Sequence, residues 1–246
     1  MKKIAIISDI HGNMQALETV LNDIKKQKTD MIFCLGDYEM AGPEPDKSLD
    51  YFIKNKKNFC MIQGNTDEYI SNFSDEVYEN IRKNAPIMAN SLKNDVITLT
   101  EDQKNFLKSL PKQVEIEEEG LKILLVHGSP RSNSENIFPD LKLEEVEKMI
   151  ENTDADIILC GHTHIPCGYQ TNTKQTVINA GSVGRPFTNE PKACYLLLNI
   201  NNKEFSAEHR MLDYDKNTAA GILKKRNFEG AEKLSKMLIN PELRHI

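Results

Sequence analysis

Short apolar runs and helically spaced apolar residues alternate at the start of the chain. The runs at 4–7, 31–35 and 59–62 have the length of buried strands. Between the first two runs, residues 14–24 carry apolar side chains at helical spacing, and Asn13 can cap that helix. Because strands that alternate with helices are joined by crossovers, this part predicts a mostly parallel or mixed sheet.

The middle of the chain has a different pattern. No strand is predicted from about 68 to 110, where the apolar spacing indicates two or three helices. Period-two alternation at 114–117 and the run 121–126 then predict a hairpin, so antiparallel pairing begins here. The remaining predicted elements are a helix at about 142–152, strands at 157–160, 167–170, 176–179, 193–200 and 204–212, and helices in about the last thirty residues.

The length of 246 residues allows one large domain or two small ones, and either can bury a core. No internal repeat, low-complexity segment or linker interrupts the pattern. We therefore expect a single domain over 1–246, with a helical insertion at about 68–110 and a C-terminal helical segment at about 215–246.

Asp, Asn or His residues follow five of the predicted strands. In open α/β sheets the carboxyl ends of the strands border one crevice, where such proteins bind ligands. We therefore expect one site assembled from five loops. Its seven candidate ligands are Asp9, His11, Asp37, Asn65, His127, His162 and His164. The other two histidines, His209 and His245, lie outside these motifs and are expected at the surface.

Carboxylate and imidazole ligands suit Mn, Fe, Co, Ni and Zn, and the chain has no Cys-x-x-Cys pair that would suggest structural zinc. Six or more ligands exceed what one tetrahedral ion uses, so two ions that share a bridging carboxylate are the simplest interpretation. Two-metal sites of this kind promote in-line attack on phosphorus. We expect two divalent cations, manganese in the first place, with Fe, Ni, Co or Zn as alternatives.

Composition narrows the possible functions. The formal net charge of -6 and the scattered basic residues argue against nucleic-acid binding, which needs a basic stripe. No apolar run approaches the roughly 18 residues of a membrane span. The start of the chain lacks the features of a secretory signal, and five cysteines, mostly in apolar runs, suit free thiols in a reducing compartment. We expect a soluble, cytoplasmic protein.

Taken in order, the motifs resemble the signature of the calcineurin-like metallophosphoesterase family. The resemblance covers most of residues 1 to 200 and is strongest to the small bacterial and archaeal phosphodiesterase branch. It rests on Asp9-x-His11, Gly36-Asp37, Gly64-Asn65, His127 and Gly161-His162-Thr163-His164, and on the neighbouring segments Ser8 to Asn13, Gly42-Pro43 and Asn179 to Gly184.

The resemblance implies an α/β fold that is a four-layer αββα sandwich, with two mixed sheets flanked by helices. It also implies a metal-bridging hydroxide as nucleophile and Asp37 as the bridging ligand. The implied ligand sets are Asp9, His11, Asp37 and His164 for one ion, and Asp37, Asn65, His127 and His162 for the other.

One position departs from the family pattern. Many members have histidine directly after the metal-binding asparagine, where this chain has Thr66. A threonine hydroxyl is a poor proton donor near neutral pH, and general acid catalysis is typically worth about 10²- to 10⁴-fold. Leaving groups that need no proton should therefore be favoured. The next residue, Asp67, could orient a ligand or start the following helix.

Other residues near the ligand loops are candidates for substrate contacts. Arg131 and Arg185 could each hold a phosphate oxygen, although arginine is mostly a surface residue that needs no such role. Residues 38–40 directly follow Asp37, in a loop where a substrate could pass.

The function that these residues predict is hydrolysis of a phosphodiester or phosphoanhydride bond in a small molecule or nucleotide. Two alternatives are a phosphomonoesterase of the same fold and a scaffold module without turnover, for which the missing histidine at Thr66 is the support. The acidic balance of the chain disfavours a nuclease.

Overall fold

Two five-stranded sheets form the centre of the structure, a computed structural model that describes residues 1–240. The strands in these residues are β1 (Lys2–Ile7), β2 (Met31–Cys34), β3 (Cys60–Met61), β4 (Gln113–Glu118), β5 (Leu121–Val126), β6 (Ile157–Cys160), β7 (Cys167–Gln170), β8 (Thr176–Asn179), β9 (Ala193–Asn201) and β10 (Glu204–Leu212). The order is β10-β9-β1-β2-β3 in the first sheet and β4-β5-β6-β8-β7 in the second. All the strands predicted from the sequence are present.

Both sheets mix parallel and antiparallel pairing. In the first sheet β1, β2 and β3 run parallel, with Ile4 opposite Met31, and β9 pairs antiparallel with β1 and β10. In the second sheet β5, β6 and β8 run parallel, while β4 and β7 are antiparallel edge strands. The candidate ligands follow the carboxyl ends of five of the parallel strands.

Helices connect the strands and cover the sheets. Those in the described residues are α1 (Met14–Gln27), α2 (Pro45–Asn55), α3 (Asn65–Ser71), α4 (Asp75–Asn84), α5 (Pro86–Thr98), α6 (Glu101–Ser109), α7 (Leu143–Ile150), α8 (Lys216–Lys224) and α9 (Ala231–Ile239). As predicted, Asn13 caps α1, because its side chain accepts from the Ala16 amide at 3.2 Å. Four helices, and not two or three, occupy residues 65 to 109, since α3 begins directly at the candidate ligand Asn65.

Alternating side chains of β1 contribute to two different cores. Ile4 and Ile6 join Leu125 and Leu159 in the core between the two sheets. Ile7 belongs to the core between the first sheet and its helices. On the opposite side, α7 packs on the outer face of the second sheet. The predicted four-layer αββα sandwich of two mixed sheets is therefore confirmed.

The C-terminal helices α8 and α9 pack on the loop that follows β2. Leu223, Leu234 and Leu238 are buried together with Ala41 of that loop. Helices occur in the C-terminal segment as predicted, and residues 241–246, with His245, lie outside the described residues. Within residues 1–240, none of the helices is long and apolar enough to cross a lipid bilayer.

The prediction that His209 lies at the surface is wrong. His209 is half-buried, and its Nε2 lies 2.7 Å from the backbone oxygen of Asn179, at the end of β8 in the other sheet. Burial lowers the pKa of His209, although the hydrogen bond to Asn179 partly opposes this effect. The ring bridges the two sheets because β10 is the edge strand of the first sheet and faces the edge of the second.

Candidate metal centre

The loops after β1, β2, β3, β5 and β6 converge at one place. The Asp9 amide donates to the Gly36 oxygen at 3.0 Å, and the Gly161 amide donates to the His127 oxygen at 2.8 Å. The His162 amide donates to Asp9 Oδ2 at 3.1 Å, so loops from the two sheets are joined. The structure therefore brings together the residues that the sequence predicted to form one site.

The backbone of the candidate ligands is strained. Five of the seven have a left-handed conformation, which residues other than glycine rarely adopt. Strain of this kind costs on the order of 1–3 kcal/mol per residue and clusters at functional sites. The φ angles are 54° at Asp9, 48° at His11, 55° at Asp37, 67° at His162 and 60° at His164.

Glycines allow the ligand loops to approach one another closely. A Cβ at Gly161 would lie 2.0 Å from Ser8 Oγ and 2.6 Å from Asp9 Oδ2. A Cβ at Gly64 would lie 2.1 Å from Asp37 Oδ1. No side chain fits at either position without moving a candidate ligand.

One half of the centre, here called the His11 side, consists of Asp9, His11 and His164. Together with Asp37, these buried residues have ligand atoms that all lie within 4.8 Å of one another. The Nε2 atoms of His11 and His164 are 3.1 Å apart, and His164 Nε2 is 3.2 Å from Asp9 Oδ1. Such a group has the geometry of a metal site.

The other ring nitrogen of each of these histidines contacts a backbone oxygen. His11 Nδ1 lies 2.8 Å from the Met40 oxygen and 3.0 Å from the Glu39 oxygen, and His164 Nδ1 lies 2.6 Å from the Arg185 oxygen. Since a carbonyl oxygen only accepts, these contacts assign the proton to Nδ1 and leave a lone pair on Nε2. Burial and the neighbouring His164 lower the pKa of His11 to about 4, so its ring is neutral at pH 7.

The other half of the centre, here called the His127 side, consists of Asn65, His127 and His162. His127 Nδ1 lies 2.7 Å from the Leu35 oxygen, and its Nε2 lies 3.1 Å from Asn65 Oδ1. The His162 ring packs against the His127 ring with the centroids 5.2 Å apart, and its Nε2 lies 3.1 Å from the Ser134 oxygen. Nδ1 of His162 is therefore available as a ligand atom.

Asp37 lies between the two sides. Its Oδ2 is 3.8 Å from His11 Nε2, and its Oδ1 is 3.3 Å from His127 Nε2. Burial raises the pKa of Asp37, but the surrounding histidines outweigh burial and hold the pKa well below its usual range. Burial also lowers the pKa of His127, but the Asp37 and Asp9 carboxylates outweigh it and raise the pKa to about 10. The carboxylates therefore favour a positive charge in the centre.

One oxygen of Asp9 is unsatisfied. Asp9 Oδ1 is buried and has no hydrogen-bond partner among residues 1–240, although the Nε2 atoms of three histidines lie 3.2 to 4.0 Å away. A buried carboxylate oxygen without a donor is costly. Carboxylate oxygens, imidazole lone pairs and an amide oxygen are the donors that Mn, Fe, Co, Ni and Zn accept. The residues present therefore fit divalent cations.

Thr66 holds the Asp37 loop, which we define as residues 37–44. Its amide donates to Asp37 Oδ1 at 2.9 Å, and its hydroxyl donates to the backbone oxygen of Glu39 at 3.2 Å. Thr66 is almost completely buried. Its hydroxyl hydrogen is therefore committed to the protein backbone.

Asp67 combines the two roles considered for it. Its carboxylate accepts from the amides of Asp37 at 2.9 Å and Tyr38 at 3.0 Å, which orients the Asp37 loop. It also accepts from the Gly64 amide at 2.7 Å, which caps α3. Burial raises the pKa of Asp67 to about 7, and the Asp37 charge adds to this effect.

The two arginines near the ligand loops have different surroundings. Arg131 is exposed and forms an ion pair with Glu135. Arg185 is half-buried, and its guanidinium stacks on the Phe187 ring at 5.4 Å. Burial lowers the pKa of Arg185 to about 10, while the Asp37 charge raises it, so the group is cationic at pH 7 and within the field of the centre. Of these two arginines, Arg185 is therefore the one available near the centre.

Sequence reasoning missed several groups around the ligands. The backbone oxygens that orient the histidines leave no trace in the residue pattern. Residues 38–40 are buried and do not line a path for substrate, because the side chains of α5 and α2 cover them. Tyr69, one turn after Asn65 on α3, lies near the Asn65 side chain. The i, i+4 spacing of these two residues could have indicated that proximity.

Comparison with known proteins identifies the class. The family model for the calcineurin-like phosphoesterase superfamily domain matches residues 1–203. An uncharacterized protein of Methanocaldococcus jannaschii is 31% identical over 228 residues, covering 86% of this chain and 88% of the relative. The chain belongs to the calcineurin-like phosphoesterase superfamily, whose members are metal-dependent hydrolases. The predicted family and enzyme class are therefore confirmed.

Two solved structures share the fold along nearly the whole chain. A hypothetical protein of Pyrococcus horikoshii OT3 superposes with a TM-score of 0.85 at 22% identity, covering 98% of this chain and 99% of that one. A metallophosphoesterase of Sphaerobacter thermophilus gives a TM-score of 0.78 at 23% identity, covering 97% and 99%. At 22% and 23% identity, these two comparisons show a common fold and no more.

Proposed function

We propose that the centre holds two divalent cations and hydrolyses a phosphodiester or phosphoanhydride bond in a small molecule or nucleotide. The observation that carries this proposal is the position of Asp37. Its two oxygens are directed to different sides of the centre, Oδ2 toward His11 and Oδ1 toward His127. A carboxylate in this position can bridge two ions.

The ligand sets follow from the two sides and are the ones that the family resemblance implies. Each histidine has one ring nitrogen on a backbone oxygen, which fixes the ring and leaves the other nitrogen for a cation. Manganese is our first expectation, with Fe, Ni, Co or Zn as alternatives. The proposed ligands are Asp9, His11, Asp37 and His164 for one ion, and Asp37, Asn65, His127 and His162 for the other.

Residues of the chain would bind and orient the substrate. Two divalent cations in such a site lower the pKa of water and neutralise phosphate oxygens. Arg185 is positioned to hold a further phosphate oxygen, because its guanidinium is cationic and close to the Asp37 charge. Arg131 is less suited to this role, since Glu135 already pairs with it.

Thr66 suggests which bonds are cleaved. Its hydroxyl donates to the Glu39 oxygen and has no second hydrogen to give to a leaving group. A leaving group at this position departs without help from Thr66, which favours aryl, phosphate or similar groups of low pKa over simple alkoxides. This supports anhydrides, and esters whose leaving group has a low pKa, over alkyl monoesters as substrates.

The test is hydrolysis of bis(p-nitrophenyl) phosphate and p-nitrophenyl phosphate with Mn²⁺, measured beside metal stoichiometry. We expect diester turnover with two ions bound in the wild type. In Asp37→Ala we expect turnover to fall by about 10³-fold or more, as for loss of a group that stabilises transition-state charge. The matched control Asp23→Ala removes a carboxylate that pairs with Tyr195 and Arg210, neither of which is a candidate ligand, and should keep both activity and metal.

The outcomes separate the candidate functions. Monoester turnover alone would move the assignment to a phosphatase. Bound metal with no turnover of either ester would favour a scaffold role, which Thr66 in place of histidine supports. Wild-type protein that binds no metal would contradict the proposal itself. The cytoplasmic location expected from the sequence stays a prediction.

A further inference from the structure

The Asp37 loop carries the oxygens that orient His11. Those of Glu39 and Met40 lie 3.0 and 2.8 Å from His11 Nδ1. Met40 and the next residue, Ala41, both have left-handed backbone, with φ angles of 77° and 65°. Two consecutive residues with side chains do not hold this conformation by themselves. Contacts from elsewhere in the molecule must fix the loop.

Helix α5 supplies two of these contacts. Asp95 Oδ2 accepts from the Met40 amide at 2.8 Å, and Ser91 Oγ accepts from the Ala41 amide at 2.8 Å. Asp95 is completely buried. A buried carboxylate needs a cationic partner or further donors.

Arg226, in the segment between α8 and α9, is that partner. It forms an ion pair with Asp95 and donates to the Gly42 oxygen and to Asn94 Oδ1, each at 2.7 Å. Its side chain is only 9% exposed. The planar guanidinium can reach all three acceptors at once, which a lysine cannot. Residue 226 lies beyond residues 1–203, the segment that the family model matches.

We propose that Arg226 and Asp95 form a brace that fixes the His11 ring and thereby sets the affinity of the His11 side for its cation. The brace runs from Arg226 through Asp95 to the Met40 amide, and from the Met40 oxygen to His11. This inference rests on the proposed function, because it takes the His11 side as a cation site. Arg226 and Asp95 are positioning residues, since they act on His11 through the Asp37 loop.

The test is titration of the metal-free protein with Co²⁺, followed by visible absorption, together with thermal unfolding. Wild-type protein should bind two ions. In Arg226→Leu and in Asp95→Asn, one binding step should weaken about 10- to 100-fold, the usual effect of removing a group that orients a ligand, while the other is unchanged. Arg226→Lys keeps the positive charge but lacks the planar guanidinium, so its loss of cation affinity should be smaller.

The matched control is Arg210→Leu. Arg210 also pairs with a largely buried aspartate, Asp23, with Nε 2.7 Å from Oδ2. That pair joins β10 to α1 and touches none of the candidate ligands. The control should lower the unfolding temperature and leave both binding steps as they are in the wild type.

If Arg226→Leu binds both ions as tightly as Arg210→Leu does, the brace is contradicted. Arg226 then has a structural role and no role in cation binding. If Arg226→Leu does not fold, Arg226→Lys decides by the same criterion. Failure of the proposed function would appear in the wild-type titration as absent binding. Failure of the brace would appear only in the variants.

Discussion

Two charged clusters in this protein, one buried and one partly buried, differ in how their carboxylates are satisfied. In the metal centre, Asp9 and Asp37 face histidine nitrogens, and Asp9 Oδ1 accepts no hydrogen bond in the described residues. Between α1 and the first sheet, Asp23 accepts from Tyr195 at 2.6 Å and from Arg210 at 2.7 Å. The second cluster is complete within the protein, whereas the first is not.

The difference separates a cluster that needs no ligand from one whose residues fit a cation. Arg210 and the Tyr195 hydroxyl supply the donors that the Asp23 carboxylate needs, so the cluster contributes to stability without a ligand. The metal centre combines strained backbone with acceptors that face one another. Such an arrangement persists because the surrounding fold holds it, and it becomes favourable when a cation binds.

After replacement of Asp37, the largest effect should come from replacing His162 and His164, the two histidines of the tetrapeptide that follows β6. His164→Ala should remove the ion of the His11 side, and His162→Ala the ion of the His127 side. Each should lower phosphodiester turnover by at least about 10²-fold. Removing a group that merely orients a metal ligand already lowers metal affinity or activity by about 10- to 100-fold. Metal stoichiometry and turnover are the measurements.

Double variants with Asn65→Ala distinguish the two sides. His162→Ala with Asn65→Ala should still bind one ion, whereas His164→Ala with Asn65→Ala should bind none. His209→Ala is the control, because His209 contacts the Asn179 oxygen outside the centre and should keep both ions. Loss of the same ion in both single variants would contradict the division into two sides.

Metal removal should give an effect of intermediate size. A cation at about 100 times its dissociation constant stabilises the folded state by about 2.7 kcal/mol, which corresponds to about 5 to 10 °C for a protein of this size. Calorimetry with and without a chelator should therefore show this shift in the wild type and in Arg210→Leu. It should be absent in Asp37→Ala. A shift lost in Arg210→Leu would show that the two clusters are not independent.

Asp23→Asn should give the smallest effect. Burial raises the pKa of Asp23, but the hydrogen bonds from Arg210 and Tyr195 outweigh it and hold the pKa below its usual value. Such a carboxyl stabilises the folded state above its unfolded pKa of about 3.9 and loses this contribution as the pH falls through the folded pKa. The substitution should lower the free energy of unfolding by about 1 kcal/mol at pH 7 and by progressively less below about pH 4.

Urea unfolding of wild type and Asp23→Asn at pH 7 and pH 3 measures that difference. Metal stoichiometry at pH 7 should be equal in the two proteins. A stability difference that stays constant with pH would mean that the ion pair is not its source.

Regular elements were predictable because apolar periodicity reflects burial directly. The strand at 121–126, for example, is found with these same bounds. Helix boundaries near the ligands were less predictable, since α3 begins at Asn65, a residue that its sequence context marked as a ligand. His209 was misassigned because its burial depends on the other sheet, to which no local pattern refers.

The sequence by itself determined the family, the order of the strands, and the candidate ligand residues. These follow from residue type and spacing, which local physics and side-chain chemistry fix. Only the tertiary structure decided which oxygens orient the histidines, which of two arginines lies near the centre, and that Arg226 supports the Asp37 loop. Backbone oxygens carry no sequence signal, and contacts across more than a hundred residues arise from packing alone.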